Sequence, residues 1–313
     1  MQITNPIYIF PEKARQHLER LLWPDGPFCP HCGNADERRI TKLKGKSTRP
    51  GVYKCNECEK PFSVTVGTVF ESSHIPLNKW LYAVHVLNSG KKGTSAHELH
   101  RELEISYKSA WFMCHRIREA MREGGLAPPM GSGGGAVEVD ETFIGRIKGS
   151  KKRPGTSHKQ AVLSLLDRDT KQVRTFHIDE AAASQIAPIV RQNILREARM
   201  MTDEARYYTV IGREVASHET VDHSKEEWAR GEVHTNTLEG YFSVFKRGMK
   251  GVYQHCSEKH LYRYLAEFDF RYNNRAKLGV TDGERAAKAL KGIRGKRLTY
   301  RISHSQGRPE TPF

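Results

Sequence analysis

The sequence predicts a multidomain chain of mixed α+β and α/β class. Three observations carry that prediction. At 313 residues the chain exceeds one minimal core. Two CxxC pairs near its start mark a small module held by a metal. The stretch GGLAPPMGSGGG, 124–135, separates a helical front part from a back part that opens on a strand. Five segments follow: an N-terminal helix and cysteine module over 1–70, a helical region over 71–125, a linker over 126–135, a mixed domain over 136–278 and a basic tail over 279–313.

In chain order, PEKARQHLERLL is an amphipathic helix with proline at its start. PFSVTVGTVF, 61–70, alternates like a strand. PLNKWLYAVHVLNSG is a helix ending near Gly90, and SAHELHRELEI and SYKSAWFMCHRIREAMREG are two more, with Ser95 and Ser106 as N-caps. Behind the linker, VEVDETFIG is a strand, and the basic run GRIKGSKKRPGTSHKQ is a loop. AVLSLLD and QVRTFHI are strands joined through RDTK as a hairpin. EAAASQIAPIVRQNIL is a helix, RMMTDE ends a short strand, and NTLEGYFSVFKRGMKG and EKHLYRYLAEFDFRYNNR are the last two helices.

Charge narrows the partner. Lys and Arg number 51 against 36 acids, a formal net charge of +15 that favours a polyanion, nucleic acid above all. No run of about 18 apolar residues appears, so no membrane span is expected. The first residues lack a basic-then-apolar signal pattern, which predicts a cytoplasmic protein.

Four of the six cysteines, Cys29, Cys32, Cys55 and Cys58, form the two CxxC pairs, with 22 residues between them. Each turn places two thiolates on one edge of an ion, and two turns complete the tetrahedron that Zn²⁺ accepts. Four protein ligands leave no open position, so one structural zinc per chain is expected. His31 is a neighbour rather than a ligand, Cys114 packs in a helix, and Cys256 is isolated.

The helix pair ending in YKSAWFMCHRIREAM suits a helix-turn-helix. Trp111, Phe112, Ile117 and Met121 face its core, and Tyr107, Lys108, His115, Arg116 and Arg118 supply polar reach toward DNA.

Acids then stand out in the back part. Asp140 lies in the strand after the linker. Asp203 follows a short apolar run, and Glu239 lies 36 residues further on. Lys246 comes seven residues after Glu239, two helical turns that return to the same face, with Asn236 on that face as well. Three carboxylates from strand, strand and helix suit two Mg²⁺ or Mn²⁺ ions, which need hard oxygen ligands. Lys246 would sit where a phosphate passes. Asp167, Asp169, Asp179 and Asp222 compete with Asp203 for the second place. Glu138 and Glu141 read as flanking surface acids. His234 and Asn236 serve either the site or the start of their helix.

Through WPDGPFCPHCG, GTVFESSHIPLNKW, SAWFMCHRIREAM, VEVDETFIG, HTNTLEGYFSVFKRGMKG and RYNNR, over roughly residues 12–278, the chain resembles the ISXO-like insertion-sequence transposases of the DDE superfamily. The resemblance implies a ribonuclease-H-like catalytic domain behind a zinc ribbon and a helix-turn-helix. It puts Asp140, Asp203 and Glu239 on the catalytic triad and Lys246 on the basic residue that follows. Some members carry Asn where Glu239 stands here. The implied activity is binding of terminal inverted repeats, hydrolysis at each end, and transfer of the freed 3′-OH to target DNA, by a homodimer or larger assembly on DNA. The alternative is a domesticated or regulatory zinc-ribbon DNA-binding protein without transposition activity.

Overall fold

Proline at the first helical position starts both α1 (Pro6–Ile9) and α2 (Pro11–Leu22), where its missing N–H costs nothing. The computed structural model describes residues 4–123 and 127–299, which divide into two units. In the first unit, strands β1 (Ile40–Lys42), β2 (Tyr53–Cys55) and β3 (Pro61–Phe62) form an antiparallel sheet in that order. Its small core is Cys29, Ile40, Cys55 and Phe62. The Trp23 ring stands edge-on to Tyr53 at 5.4 Å and to Phe62 at 5.9 Å.

The strand expected over 61–70 shortens to two residues. The Thr68 hydroxyl donates to the Thr65 carbonyl at 2.7 Å and accepts from the Phe70 N–H at 3.1 Å. Such local bonds hold the backbone in turns and compete with a ladder.

Helices α3 (Leu77–Ser89), α4 (Ala96–Leu103) and α5 (Tyr107–Met121) follow. A three-residue turn joins the last two, with Glu104 at φ +50°. Ser106 caps α5 as its sequence predicts, its hydroxyl accepting from the Ser109 N–H at 3.1 Å.

The second unit is built on a five-stranded sheet. Its elements in chain order are β4 (Ala136–Ile144), β5 (Gln160–Asp167), β6 (Gln172–Ile178), α6 (Ala183–Asn193), β7 (Arg199–Thr202), α7 (Arg206–Ile211), β8 (Ser217–Thr220), α8 (Asn236–Gly248) and α9 (Glu258–Asn273). The strand order is β6-β5-β4-β7-β8. The first three strands run antiparallel, and β7 and β8 continue the sheet in parallel with β4. Pleat alternation sends Val137 and Val139 into one core with Ile186 and Val190 of α6 and Tyr208 of α7. Ile144, Val162 and Leu166 enter the opposite core with Leu238, Phe242 and Phe245 of α8 and Leu261, Leu265 and Phe268 of α9.

The expected linker is folded where the structure describes it, from residue 127. Met130 is buried and bridges to Ile194, donating its N–H to the Asn193 carbonyl at 2.7 Å. The Gly131 N–H donates to Asp167 at 2.9 Å. Gly131 has φ +82°, and a Cβ there would run into Ala198 and Val137. Glycine serves close approach here rather than flexibility.

The tail is corrected likewise. Residues 282–291 form α10 (Asp282–Lys291), which carries the chain back into the first unit. Ala286, Ala289, Leu290 and Ile293 are buried at helical spacing. Arg294 pairs with Thr68, and the Gly295 N–H donates to the Gly67 carbonyl at 2.9 Å. Residues 300–313 of the predicted tail lie outside the described residues.

The edge strand β6 presents backbone groups away from β5, and α9 satisfies them. The Asn273 side chain accepts from the Val173 N–H at 2.7 Å and donates to its carbonyl at 2.9 Å. Asp269 accepts from the Thr175 N–H at 2.9 Å, the Thr175 hydroxyl at 2.7 Å and the Tyr241 hydroxyl at 2.6 Å. Four helical residues rise about 6 Å and two strand residues about 6.8 Å, so the two pairs meet in register. The first Asn of RYNNR thus blocks a sheet edge that would otherwise add foreign strands. Asn273→Leu leaves both Val173 groups unpaired and is expected to destabilise the chain by about 2–3 kcal/mol. Urea unfolding with an unchanged m-value measures the loss.

Candidate active site and metal centre

The parallel register of β4 and β7 sets the site. Ala136 pairs with Arg199 and Glu138 with Met201, and the same offset carries Asp140 onto Asp203. Asp203 stands just past the end of β7, where its carboxylate accepts from the Ala205 N–H at 3.0 Å. Glu239 lies in the first turn of α8, with the Thr235 hydroxyl 3.5 Å from its carboxylate.

Electrostatics unite these groups. Burial, then the charges of Glu141, Asp203 and Glu239, push the Asp140 carboxyl up to about 8. The Glu141 N–H opposes this by donating to Asp140 at 2.7 Å. Lys246 is lowered by burial first and by Lys250 and Lys159, while Asp140 pulls it back up. The structure therefore brings Asp140, Asp203, Glu239 and Lys246 together. The three carboxylates and Lys246 lie near enough to shift one another's charge, while among the described residues the four cysteines alone bring their ligand atoms within 4.8 Å of one another.

The four competing aspartates stand elsewhere. The Asp167 carboxylate accepts from the N–H groups of Gly131, Asp169 and Thr170, each at 2.9 Å, and so fixes the turn of the hairpin. Asp169 and Asp179 are exposed. Asp222 is held at about 2 by Lys225 and Ser224.

Two readings of the strand need correction. Glu138 is not a surface acid: it is 0% exposed. It accepts from Arg168 Nε at 2.6 Å and from the Leu238 N–H at 2.9 Å. Arg168 also reaches the His234 carbonyl and Nδ1, each at 2.7 Å. Glu138 thus ties β4 to the start of α8, one residue before Glu239, and His234 belongs to that anchor. Glu141 points to the opposite face, where the hydroxyls of Tyr207 and Tyr208 both donate to it, the latter at 2.6 Å. Burial first, and then Asp203, raise Glu141 to about 7 against the pull of the Tyr208 bond. Neither partner set is near in sequence. The only local sign was three acids, Glu138, Asp140 and Glu141, inside an otherwise apolar strand.

Asn236 is exposed at the first residue of α8. In the helix pair, Tyr107 and Lys108 are exposed at the start of α5, as expected of groups that reach outward. His115, Arg116 and Arg118 are buried, against expectation. Arg116 covers the Phe112 ring at 4.9 Å and donates to the Leu298 carbonyl at 3.2 Å, contacts that the returning C-terminal segment makes possible. His115 packs edge-on to Trp111 at 4.3 Å.

The four cysteines converge within 4.8 Å of one another. The sulfurs of Cys29 and Cys58 are 3.6 Å apart, and those of Cys32 and Cys55 are 3.7 Å apart. A tetrahedron with Zn–S bonds of about 2.3 Å needs roughly 3.8 Å between sulfurs, so the donor set fits zinc. Both turns are built alike. The Cys29 N–H donates to the Asn34 carbonyl at 2.8 Å, and the Cys55 N–H donates to the Lys60 carbonyl at 3.1 Å. A left-handed residue closes each turn, Gly33 at φ +79° and Glu59 at φ +59°.

Residues 133–273 match the ISXO2-like transposase domain, and residues 11–61 match the transposase zinc-ribbon domain. The chain therefore carries two domains of the ISXO2-like transposases. It is 27% identical over 280 residues to a protein of the transposable element ISH50 of Halobacterium salinarum, covering 84% of this chain and 91% of that one. A simian T-cell lymphotropic virus intasome, solved in complex with the PP2A regulatory subunit B56 gamma, overlaps 55% of this chain and 63% of its own at 11% identity and a TM-score of 0.29. No helix among the described residues is long and apolar enough to cross a membrane.

Two outcomes are expected. Purified protein should contain about one zinc per chain, and Cys55→Ser should lose it while the sheet unit keeps its own melting transition. Elemental analysis beside calorimetry reads both. The second concerns pH. In magnesium-free buffer the folded chain holds the Asp140 proton up to about pH 8, far above an ordinary carboxylate. The folded state therefore binds more protons than the unfolded chain, and its stability falls as pH rises from about 4 to 8. Glu141 and Asp269, both raised to about 7, add the same sign. Asp140→Asn should match wild type near pH 4 and melt a few degrees higher at pH 9. An equal melting temperature at both pH values would contradict the burial of this charge.

Proposed function

We propose that this chain is a DNA transposase that cleaves phosphodiesters at the ends of its element and joins the freed 3′-OH groups to target DNA. The observation that carries this reading is the convergence of Asp140, Asp203, Glu239 and Lys246 from two parallel strands and one helix. The three carboxylates would hold two Mg²⁺ or Mn²⁺ ions, which activate the attacking oxygen and neutralise the leaving one in phosphoryl transfer. Asp140, on a central strand, fixes the site to the sheet. Glu239 enters from α8, whose start Glu138 and Arg168 hold. Lys246 offers a point charge to the phosphate. Hydrolysis and strand transfer are the same displacement with a different nucleophile, so one site serves both.

The mixed sheet of three antiparallel strands continued by two parallel ones supports a ribonuclease-H-like reading of the second unit. The exposed Tyr107 and Lys108, at the start of the second of two closely joined helices, support a helix-turn-helix that reads inverted repeats. Two ends must be joined in concert, which calls for a homodimer or larger assembly on DNA, working in the cytoplasm where the element's DNA resides.

The test is Mg²⁺-dependent joining of pre-cleaved ends by purified variants, with end sequences taken from the DNA flanking the gene. Asp140→Asn, Asp203→Asn and Glu239→Gln should each lower joining by about 10³-fold or more, since a site that acts as a unit fails as a unit. Lys246→Ala should cost on the order of tenfold. Folding and end binding should persist in all four. Joining by Asp140→Asn at the wild-type rate would overturn the mechanism. End binding with no joining by wild type would favour the regulatory alternative.

A further inference from the structure

The segment between β4 and β5 has a role that the candidate site does not use. From Thr142 to Leu166 there is no Asp or Glu, yet Arg146, Lys148, Lys151, Lys152, Arg153 and Lys159 fall within it. The segment is a built arm rather than a loose loop. The Ile147 N–H donates to the His158 carbonyl at 2.9 Å, which extends the β4–β5 hairpin beyond its last paired residues, Ile144 and Gln160. The Ser150 hydroxyl closes the next turn on the Ile147 carbonyl at 2.6 Å, and the Lys159 N–H donates to the Thr156 carbonyl at 2.8 Å. His158 and Gln160 are buried at the base, while Arg146, Lys148, Lys151, Lys152 and Arg153 are exposed.

The arm's position gives this charge a target. Ile144 lies four residues past Asp140 on the same strand, a rise of about 13 Å. Lys159, at the arm's base, is close enough to depress Lys246. The arm therefore leaves the sheet at the end where the acids gather, with Lys159 at its base beside Lys246. Five exposed like charges repel one another unless an anion lies along them. A second copy of this chain, itself at a formal +15, is a poor source of that anion.

We infer that the 145–159 arm is a phosphate clamp, and that it grips the backbone of duplex DNA on one side of the phosphodiester held at Asp140. This rests on the transposase reading and adds a surface to it, separate from the helix pair that would read the ends. Arginine and lysine without neighbouring aromatic or amide groups suit backbone contact rather than base reading, so the grip should be independent of sequence.

The test uses full-length protein with Lys148, Lys151, Lys152 and Arg153 all changed to Gln. These side chains are exposed, and an unchanged melting temperature checks folding. Binding to duplexes that carry one element end plus flanking DNA is measured across salt concentrations. Each phosphate that the variant no longer neutralises should remove about 0.9 from the slope of log K against log salt, so the loss of four contacts should flatten the slope by about 3.6. Joining of pre-cleaved ends should fall at least tenfold near 0.15 M salt and recover at low salt. A companion variant with Lys148, Lys151 and Lys152 changed to Arg should keep the wild-type slope. Wild-type protein that binds and joins DNA, beside a quadruple Gln variant with an unchanged slope, would overturn the clamp alone. Wild-type protein that joins no DNA would overturn the transposase reading, while a flattened slope in the variant would still support the clamp.

Discussion

Asp140 lies on β4 and Asp203 just past the end of the neighbouring parallel strand β7, and nothing in their own chemistry favours that closeness. Both are carboxylates, half removed from water, with Glu239 and Glu141 nearby. Left to themselves they would separate or take up protons. The register of β4 on β7 forbids the first, because Val137, Val139 and Met200 are fully buried in one core and a slip by one residue would turn them out. The helix that brings Glu239 is fixed independently, by a buried Glu138 carboxylate that holds Arg168 and the Leu238 N–H. The rest of the second unit serves this arrangement. It supplies two cores, one on each face of β4, that hold a repulsive group of acids in place.

The three acids of VEVDE show how far sequence could reach. A strand's period of two puts Glu138 and Asp140 on one face and Glu141 on the other. That much is legible. Which acid is buried in an ion pair, which faces tyrosines and which faces other acids depends on Arg168, Tyr208 and Asp203. These come from a hairpin turn, a short helix and a strand end, and no local pattern links them to β4. Glu138 reads as a surface acid in the sequence because a buried carboxylate is expected only beside a partner, and its partner lies 30 residues away. The zinc ligands are legible because spacing alone fixes their geometry. The β5–β6 hairpin and the core helices are legible because their apolar periods are long. The element 282–291 escapes a sequence reading because its buried face is only Ala286, Ala289, Leu290 and the stem of Arg285, a weak contrast against a basic background.

The helix pair teaches a related lesson. His115, Arg116 and Arg118 are polar, and polarity suggests reach. Yet α5 is packed on most of its circumference, from Ala110 through Met113, Ile117 and Met121. Long basic side chains can lay an apolar stem along such a surface and send only the head to a carbonyl, as Arg116 does. What stays exposed is the first turn of α5, which is also where a helix entering a groove meets the bases.

Conserving charge and conserving stability pull in opposite directions at this site. Each carboxylate raised above its ordinary range marks a place where the folded chain is less stable at neutral pH than a neutral side chain would make it. Asp269 shares that direction but not the reason, since its bonds to Thr175 and Tyr241 tie α9 to an edge strand whatever the site contains. Among the described residues Asp140 has no such bond from a distant element. Its backbone donor there is its own neighbour, Glu141. A buried acid with a structural task is surrounded by donors, as Glu138 and Asp269 are, while Asp140 is raised by burial and by the acids around it. By that criterion Asp140 is set apart from every other buried carboxylate described in the strand and helices around it.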